Sequence, residues 1–163
     1  SIVLCPGSNE LYKIWSPDNF GTLCNSIHAI FPYLKLLVLC GPGEEKLGKR
    51  IASVSRYAEV MNINDIQFLI DEVAASELVI ANDSAAIHIA VALGKASICI
   101  FNGSRYGRFV PYENMTESCL IIPPYLIDEV KKHPKIFYEK KFSFNINDVT
   151  PEMVLSEVQR MIS

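Results

Sequence analysis

The feature that most limits what this chain can fold into is the rhythm of its apolar residues. Short, β-rich apolar runs recur at 2–5, 36–40, 58–61, 78–81 and 96–101, and amphipathic stretches fill most of the gaps. Runs of this length suit strands and are far too short to cross a bilayer. A sheet with one wet face would alternate apolar and polar residues; nearly continuous runs indicate strands covered on both faces. Strands of that kind separated by helices predict βαβ units and a parallel sheet. With a sixth run at 119–122, the expectation is an α/β fold: a Rossmann-like, doubly wound parallel sheet of about six strands with helices on both faces. The 163 residues fit one such domain.

Local signals place the helices. Ser16 and Pro17 supply an N-cap and an N1 proline for a helix reaching about residue 31. Gly41-Pro42-Gly43 closes the second strand, and a helix follows from 44 to about 55. Asn64 is placed to cap a third helix that carries Ile66, Leu69, Ile70 and Val73 on one face. A fourth runs from Ser84 to Leu93, where Gly94 stops it. Thr150-Pro151-Glu152 opens the last helix, with Val154, Val158 and Ile162 aligned. After Asn102 the rhythm breaks. Residues 102–118 read as a polar loop bearing glycines and aromatics, of a length that often carries function, and 123–148 give no assignment.

Charge and cysteine usage narrow the partners. A net charge of −3 with no basic stripe excludes a nucleic-acid surface. The one basic cluster is Lys131, Lys132, His133, Lys135, Lys140 and Lys141. It reads as a solvated loop or, alternatively, as a surface that approaches anionic lipid or glycolipid, a peripheral contact at the inner face of a membrane. Cys5, Cys24, Cys40, Cys99 and Cys119 are odd in number and lack CxxC spacing. They read as small buried hydrophobes in a reducing compartment, which makes the cytoplasm the expected location. No signal-peptide pattern opens the chain, and Ser1 stands where an initiator Met would, so a piece of a longer protein is expected.

In open parallel sheets, ligands bind beyond the carboxyl ends of the strands. That rule selects the loops 6–16, 41–44, 61–65 and 82–85, with 102–112 a fifth candidate. The most informative is Asn82-Asp83-Ser84-Ala85-Ala86-Ile87-His88. A strand there gives way to a helix whose free N–H groups and positive dipole end face the crevice, an arrangement that takes phosphate. Ser84 can cap that helix, offer its hydroxyl to a phosphate, or both. His88, one turn in, is a core residue or a contact. Pro6-Gly7-Ser8-Asn9 forms a small-residue turn that lets a ligand approach the backbone. Lys13 follows with a positive charge and, beside such a turn, is expected outside the core. Glu44 stands at the next strand end, where a carboxylate can accept two hydrogen bonds from a ribose or serve as a first-turn helix residue. No Asp-x-Asp pair and no convincing His/Asp/Glu cluster occurs, so no metal site is expected. A bound diphosphate would be neutralised by helix dipole and lysine.

Taken in order, these motifs resemble glycosyltransferase family 9, the lipopolysaccharide heptosyltransferase-like enzymes of the GT-B fold. The chain is similar to their C-terminal, donor-binding domain. The matching residues are Pro6-Gly7-Ser8 with Lys13-Ile14-Trp15-Ser16-Pro17, then Gly41-Pro42-Gly43-Glu44. The most specific segment is Asp83-Ser84-Ala85-Ala86-Ile87-His88-Ile89-Ala90-Val91-Ala92-Leu93-Gly94, with Phe101-Asn102-Gly103 after the next strand. Ala85 departs from the family pattern, which has glycine there. The resemblance implies a nucleotide-diphosphate sugar as donor, metal-independent binding and no tightly held cofactor. It implies a heptose or similar sugar passed to a lipopolysaccharide or cell-surface glycan acceptor. It further implies that Ser8, Lys13 and the stretch Ser84, Ala85, Ala86 and His88 surround the diphosphate, that Glu44 holds the ribose, and that the nucleobase packs near Met61 and Asn64. Asp83, beside the transferred sugar, is the catalytic candidate. The family's N-terminal domain, with its lipid-linked or glycan acceptor contacts and presumed base, has no counterpart here, so the isolated 163 residues are expected not to transfer sugar. The alternatives are a stand-alone nucleotide-binding or regulatory module, or a nucleotide-sugar epimerase-like domain.

Overall fold

A computed structural model describes residues 1–112, 118–139 and 144–162. The six runs form strands β1 (Ile2–Cys5), β2 (Leu36–Cys40), β3 (Ala58–Asn62), β4 (Leu78–Asn82), β5 (Ser97–Ile100) and β6 (Ser118–Ile121). All pair in parallel, in the order β3-β2-β1-β4-β5-β6. β1 lies between β2 and β4, so the chain winds outward in both directions from one central strand. The order is that of a doubly wound sheet, and its switch point falls between β1 and β4.

Burial on both faces explains the lack of alternation in the sequence. Ile2, Leu4, Val38, Cys40, Ile80 and Ile98 point to one face, beneath α1 (Pro17–Ile30), α2 (Glu45–Val54) and α7 (Pro151–Ile162). Val3, Cys5, Leu39, Val79, Ala81 and Cys99 point to the other. That face lies beneath α3 (Ile66–Ala75), α4 (Ala85–Ala92), α5 (Ile127–Lys132) and α6 (Pro134–Glu139). The last helix meets its expected face, with Val154 and Val158 buried and Ile162 packed against the core.

Capping matches expectation at α1, where the Ser16 hydroxyl accepts from the Asp18 N–H at 3.2 Å. At α3 it does not: Asp65, not Asn64, is the cap, and its carboxylate accepts from the Phe68 N–H at 2.8 Å. The buried face differs from the expected one as well. Leu69 and Val73 are buried and Phe68 joins their core, whereas Ile66 stays 60% exposed. Stretch 123–148 contains α5 and α6 flanked by 3-10 turns at Pro124–Leu126 and Ile146–Asp148. Elements of three to six residues are too short to leave a periodic signal. Lys131, Lys132, His133 and Lys135 are exposed; Lys140 and Lys141 lie outside the described residues. Among the described residues no helix is long and apolar enough to cross a membrane. The five cysteines are free, four of them buried and Cys119 half-buried. Burial pushes their thiols up, to about 12 at Cys24 and, helped by the Glu44 charge, to about 11 at Cys40.

Candidate functional site

Two buried asparagines set the geometry at the switch point. Asn82, ending β4, accepts from the Trp15 N–H at 3.2 Å and donates to the Pro6 carbonyl at 2.7 Å. Asn102, just past β5, donates to the Tyr12 carbonyl at 3.2 Å. Together they tie the loop after β1, including the 3-10 turn Leu11–Lys13, to the strands beside it. Trp15 completes the anchor: it is fully buried, its indole N–H donates to the Val149 carbonyl at 2.7 Å, and its ring meets Phe20 edge-on.

This scaffold leaves a cavity of about 630 Å³ at the carboxyl ends of the strands. It is lined by Ser8, Lys13, Glu44, Asp83, Ser84, Ala85, Ala86 and His88, so eight of the sequence-derived candidates come together in one place. Met61 and Asn64 do not line it. Met61 packs into the core under α3, Asn64 is exposed, and Ile63 reaches the cavity wall in their stead.

Lys13 departs from expectation. Its ammonium lies 2.7 Å from Asp83 Oδ2 and 3.5 Å from Glu10 Oε2, with the lysine and aspartate side chains only 14% and 7% exposed. Burial pulls the Lys13 pKa down, but the hydrogen bond and charge of Asp83, then Glu10 and Tyr12, outweigh it and raise it above the ordinary value. The lysine is an internal counter-ion. Ser8 adds a weaker tie, its hydroxyl donating to the Asp83 carbonyl at 3.4 Å.

Ser84 occupies the N-cap position of α4, yet its hydroxyl makes no cap hydrogen bond. Its Oγ is buried and has no partner. A buried hydroxyl normally finds a hydrogen bond, so the capping-only reading fails here. Ala85 is exposed, and its methyl group lies on the cavity wall.

Across the cleft, Glu44 folds back so that its Oε2 accepts from the Gly41 N–H at 2.7 Å. The carboxylate lies directly over Gly7, where a Cβ would stand 1.7 Å from Oε1. Glycine at 7 thus leaves the room that this conformation of Glu44 occupies, where the loops after β1 and β2 meet. His88 Nδ1 is hydrogen-bonded to the Tyr112 hydroxyl, and its ring packs edge-on against Phe109. Burial, then the Asp83 charge, raises the Tyr112 pKa, so the phenol stays protonated.

Arg105 and Phe109 also line the cavity, and the sequence reading named neither, although it marked loop 102–112. Arg105 has φ 60°, a conformation unusual for any residue but glycine. The asparagine pair was likewise missed as a scaffold. Polar residues that end strands look like ordinary loop residues in sequence. Among the described residues no group of three His, Cys, Asp or Glu side chains could hold a metal.

A family model, glycosyltransferase family 9 (heptosyltransferase), matches residues 1–138. The chain belongs to glycosyltransferase family 9. A lipopolysaccharide heptosyltransferase 1 from Campylobacter coli is 26% identical over 166 residues, covering 99% of this chain and 46% of that protein. The crystal structure of a glycosyl transferase family 9 protein from Veillonella parvula DSM 2008 superposes with a TM-score of 0.77 at 16% identity, over 99% of this chain and 45% of that one. E. coli heptosyltransferase WaaC, solved with ADP-2-deoxy-2-fluoro heptose, superposes with a TM-score of 0.72 at 18% identity, over 98% and 42%. These superpositions establish a shared fold. The chain spans less than half the length of each of these family 9 relatives.

Proposed function

We propose that this chain is the donor-binding half of a family 9 glycosyltransferase that moves a heptose or similar sugar from a nucleotide-diphosphate donor, of the ADP-heptose type, to a lipopolysaccharide or related glycan acceptor. One observation carries the reading: the buried, unpartnered Ser84 hydroxyl at the N-terminus of α4, in a cavity at the switch point of the sheet. A phosphate oxygen there would satisfy the hydroxyl and the free N–H groups of the first turn at once.

In such a transfer the acceptor hydroxyl attacks the anomeric carbon, the bond from that carbon to the diphosphate breaks, and a base takes the acceptor's proton. This chain contributes to the bond that breaks. Ser84 and the positive end of α4 stabilise charge on the departing diphosphate. Glu44 accepts from the ribose hydroxyls. Asp83, whose Oδ2 is held by Lys13, presents Oδ1 to the transferred sugar. The base belongs to the acceptor side, outside these residues. Diphosphate binding is metal-independent, and the protein works in the cytoplasm; contact of the exposed lysines with the membrane is a further part of the same picture.

Calorimetric titration with ADP, UDP and GDP, with and without EDTA, tests the site. We expect one nucleoside diphosphate to bind, unaffected by chelation. Ser84→Ala should weaken it by about 1 kcal/mol while leaving stability unchanged, because no existing hydrogen bond is lost. If none of the three binds, the donor-site reading falls. If one binds but the whole protein transfers no sugar from it, the chain is a regulatory nucleotide module.

A further inference from the structure

The ionisable side chains that line the cavity do not balance a diphosphate. Glu10, Glu44 and Asp83 are carboxylates; Lys13 and Arg105 are the cations. Lys13 is committed to two of those carboxylates, at 2.7 and 3.5 Å. A helix N-terminus supplies only about half a positive charge. A ligand with two or three negative charges therefore enters a cleft whose lysine is already shared between two carboxylates.

Arg105 is the cation left over. It lines the cavity, is half-buried, and makes no ion pair or hydrogen bond through its side chain among the described residues. Its neighbour Arg108 is exposed and lies over the Phe109 ring, 5.4 Å from the centroid. Arg105 also sits at φ 60°, where glycine would be at ease and a long side chain is not. The surrounding loop holds it there. The Ser104 N–H donates to Asn102 Oδ1 at 3.0 Å, the Arg108 N–H to the Arg105 carbonyl at 3.1 Å, and the Gly107 N–H to the Val110 carbonyl at 2.7 Å. Strain kept at a cleft, in a residue whose side chain has nothing to do inside the protein, points to use by a ligand.

We propose that Arg105 is the cation that receives the donor's diphosphate, the left-handed backbone at 105 being the device that turns its guanidinium into the cleft. The planar fork can grip two phosphate oxygens together, which an ammonium cannot. This rests on the donor-site reading above and adds to it the group that carries the charge.

The test is calorimetric titration of the chain and its Arg105→Ala, Arg105→Lys and Arg105→Gly variants with ADP, AMP and adenosine, together with thermal unfolding. If UDP or GDP is the diphosphate that binds, the corresponding uridine or guanosine series replaces them. For Arg105→Ala and Arg105→Gly we expect diphosphate affinity to fall roughly ten- to a hundred-fold, the range for a charge-assisted contact. The monophosphate should lose less and the nucleoside nothing. Lysine at 105 should restore part of the loss. Arg105→Gly should melt at or above the wild-type temperature, because the strain is gone. A merely structural arginine would not gain stability while losing affinity. The proposal is overturned if the variants keep diphosphate affinity, or if diphosphate, monophosphate and nucleoside lose equally, which would mark collapse of the loop. Wild-type chain that binds no nucleoside diphosphate would overturn the donor site itself, and this role with it.

Discussion

The two sides of the cleft each present a carboxylate, and they hold it by different means. On the β1–β2 side Glu44 is half-buried and steadied by one backbone donor, the Gly41 N–H, with Gly7 leaving room beneath it. On the β4 side Asp83 is almost wholly buried and held by the Lys13 ammonium. A backbone donor fixes a direction and leaves the charge available to solvent or ligand. An ion pair out of water neutralises the charge and makes each partner depend on the other. The first side is thus arranged for contact, the second for contact through a part that also holds the fold together.

The largest effect should come from breaking the second side. Lys13→Ala strands Asp83 without its counter-ion, and we expect a loss of roughly 2–4 kcal/mol in urea unfolding, the scale for one half of a buried pair. Lys13→Met combined with Asp83→Asn should recover most of it, since no charge is then left unpaired. A loss below about 0.5 kcal/mol for the single variant would show that water screens the pair as it does at a surface, and the contrast between the sides would disappear.

The first side should respond in affinity and hardly in stability. Glu44→Gln should weaken nucleotide binding by about 1–3 kcal/mol, with ribo- and 2′-deoxyribonucleotides losing unequally if the carboxylate meets the 2′-hydroxyl. Gly7→Ala gives a sharper probe. The new methyl collides only with the far end of a flexible side chain, so Glu44 can swing aside at little cost. We expect Gly7→Ala to reproduce the Glu44→Gln affinity loss, about 1–2 kcal/mol, with a melting temperature close to wild type. Unfolding of Gly7→Ala would instead place Glu44 in the structural class with Asp83.

The same contrast explains what could be read from the sequence. The strands, the sheet class and five longer helices follow from apolar runs and periodicity, signals that burial on both faces imposes over many residues at once. The cleft's contents followed from strand ends. What escaped depends on single contacts across long separations. Lys13 and Asp83 are 70 residues apart, and beside a small-residue turn the lysine gave no sign of an internal partner. Asn64 and Asp65 are equally good caps by residue type, and the choice of Asp65 shows only in the folded chain. Arg105 reads in sequence like any solvated arginine, because neither its place on the cavity wall nor its backbone angle leaves a trace in composition.

The smallest effect is one of pH, and it centres on the Lys13–Asp83 pair. Lys13 holds its proton more tightly folded than unfolded. Its contribution to stability is therefore complete below lysine's ordinary value of 10.5 and is lost as pH rises through the higher folded value. Buried thiols and Tyr112, also raised by burial, act in the same direction nearby, so the wild-type curve alone cannot assign the loss. The Lys13→Met, Asp83→Asn variant keeps those thiols and the phenol while removing the pair. Urea midpoints taken from about pH 9 to about pH 11.5 should fall in both proteins, and fall further in the wild type. The extra drop belongs to the ion pair together with the share of the Tyr112 and Cys99 shifts that the Asp83 charge supplies. Parallel curves would mean that the lysine titrates as it would in water, and that Asp83 is held by something other than its charge.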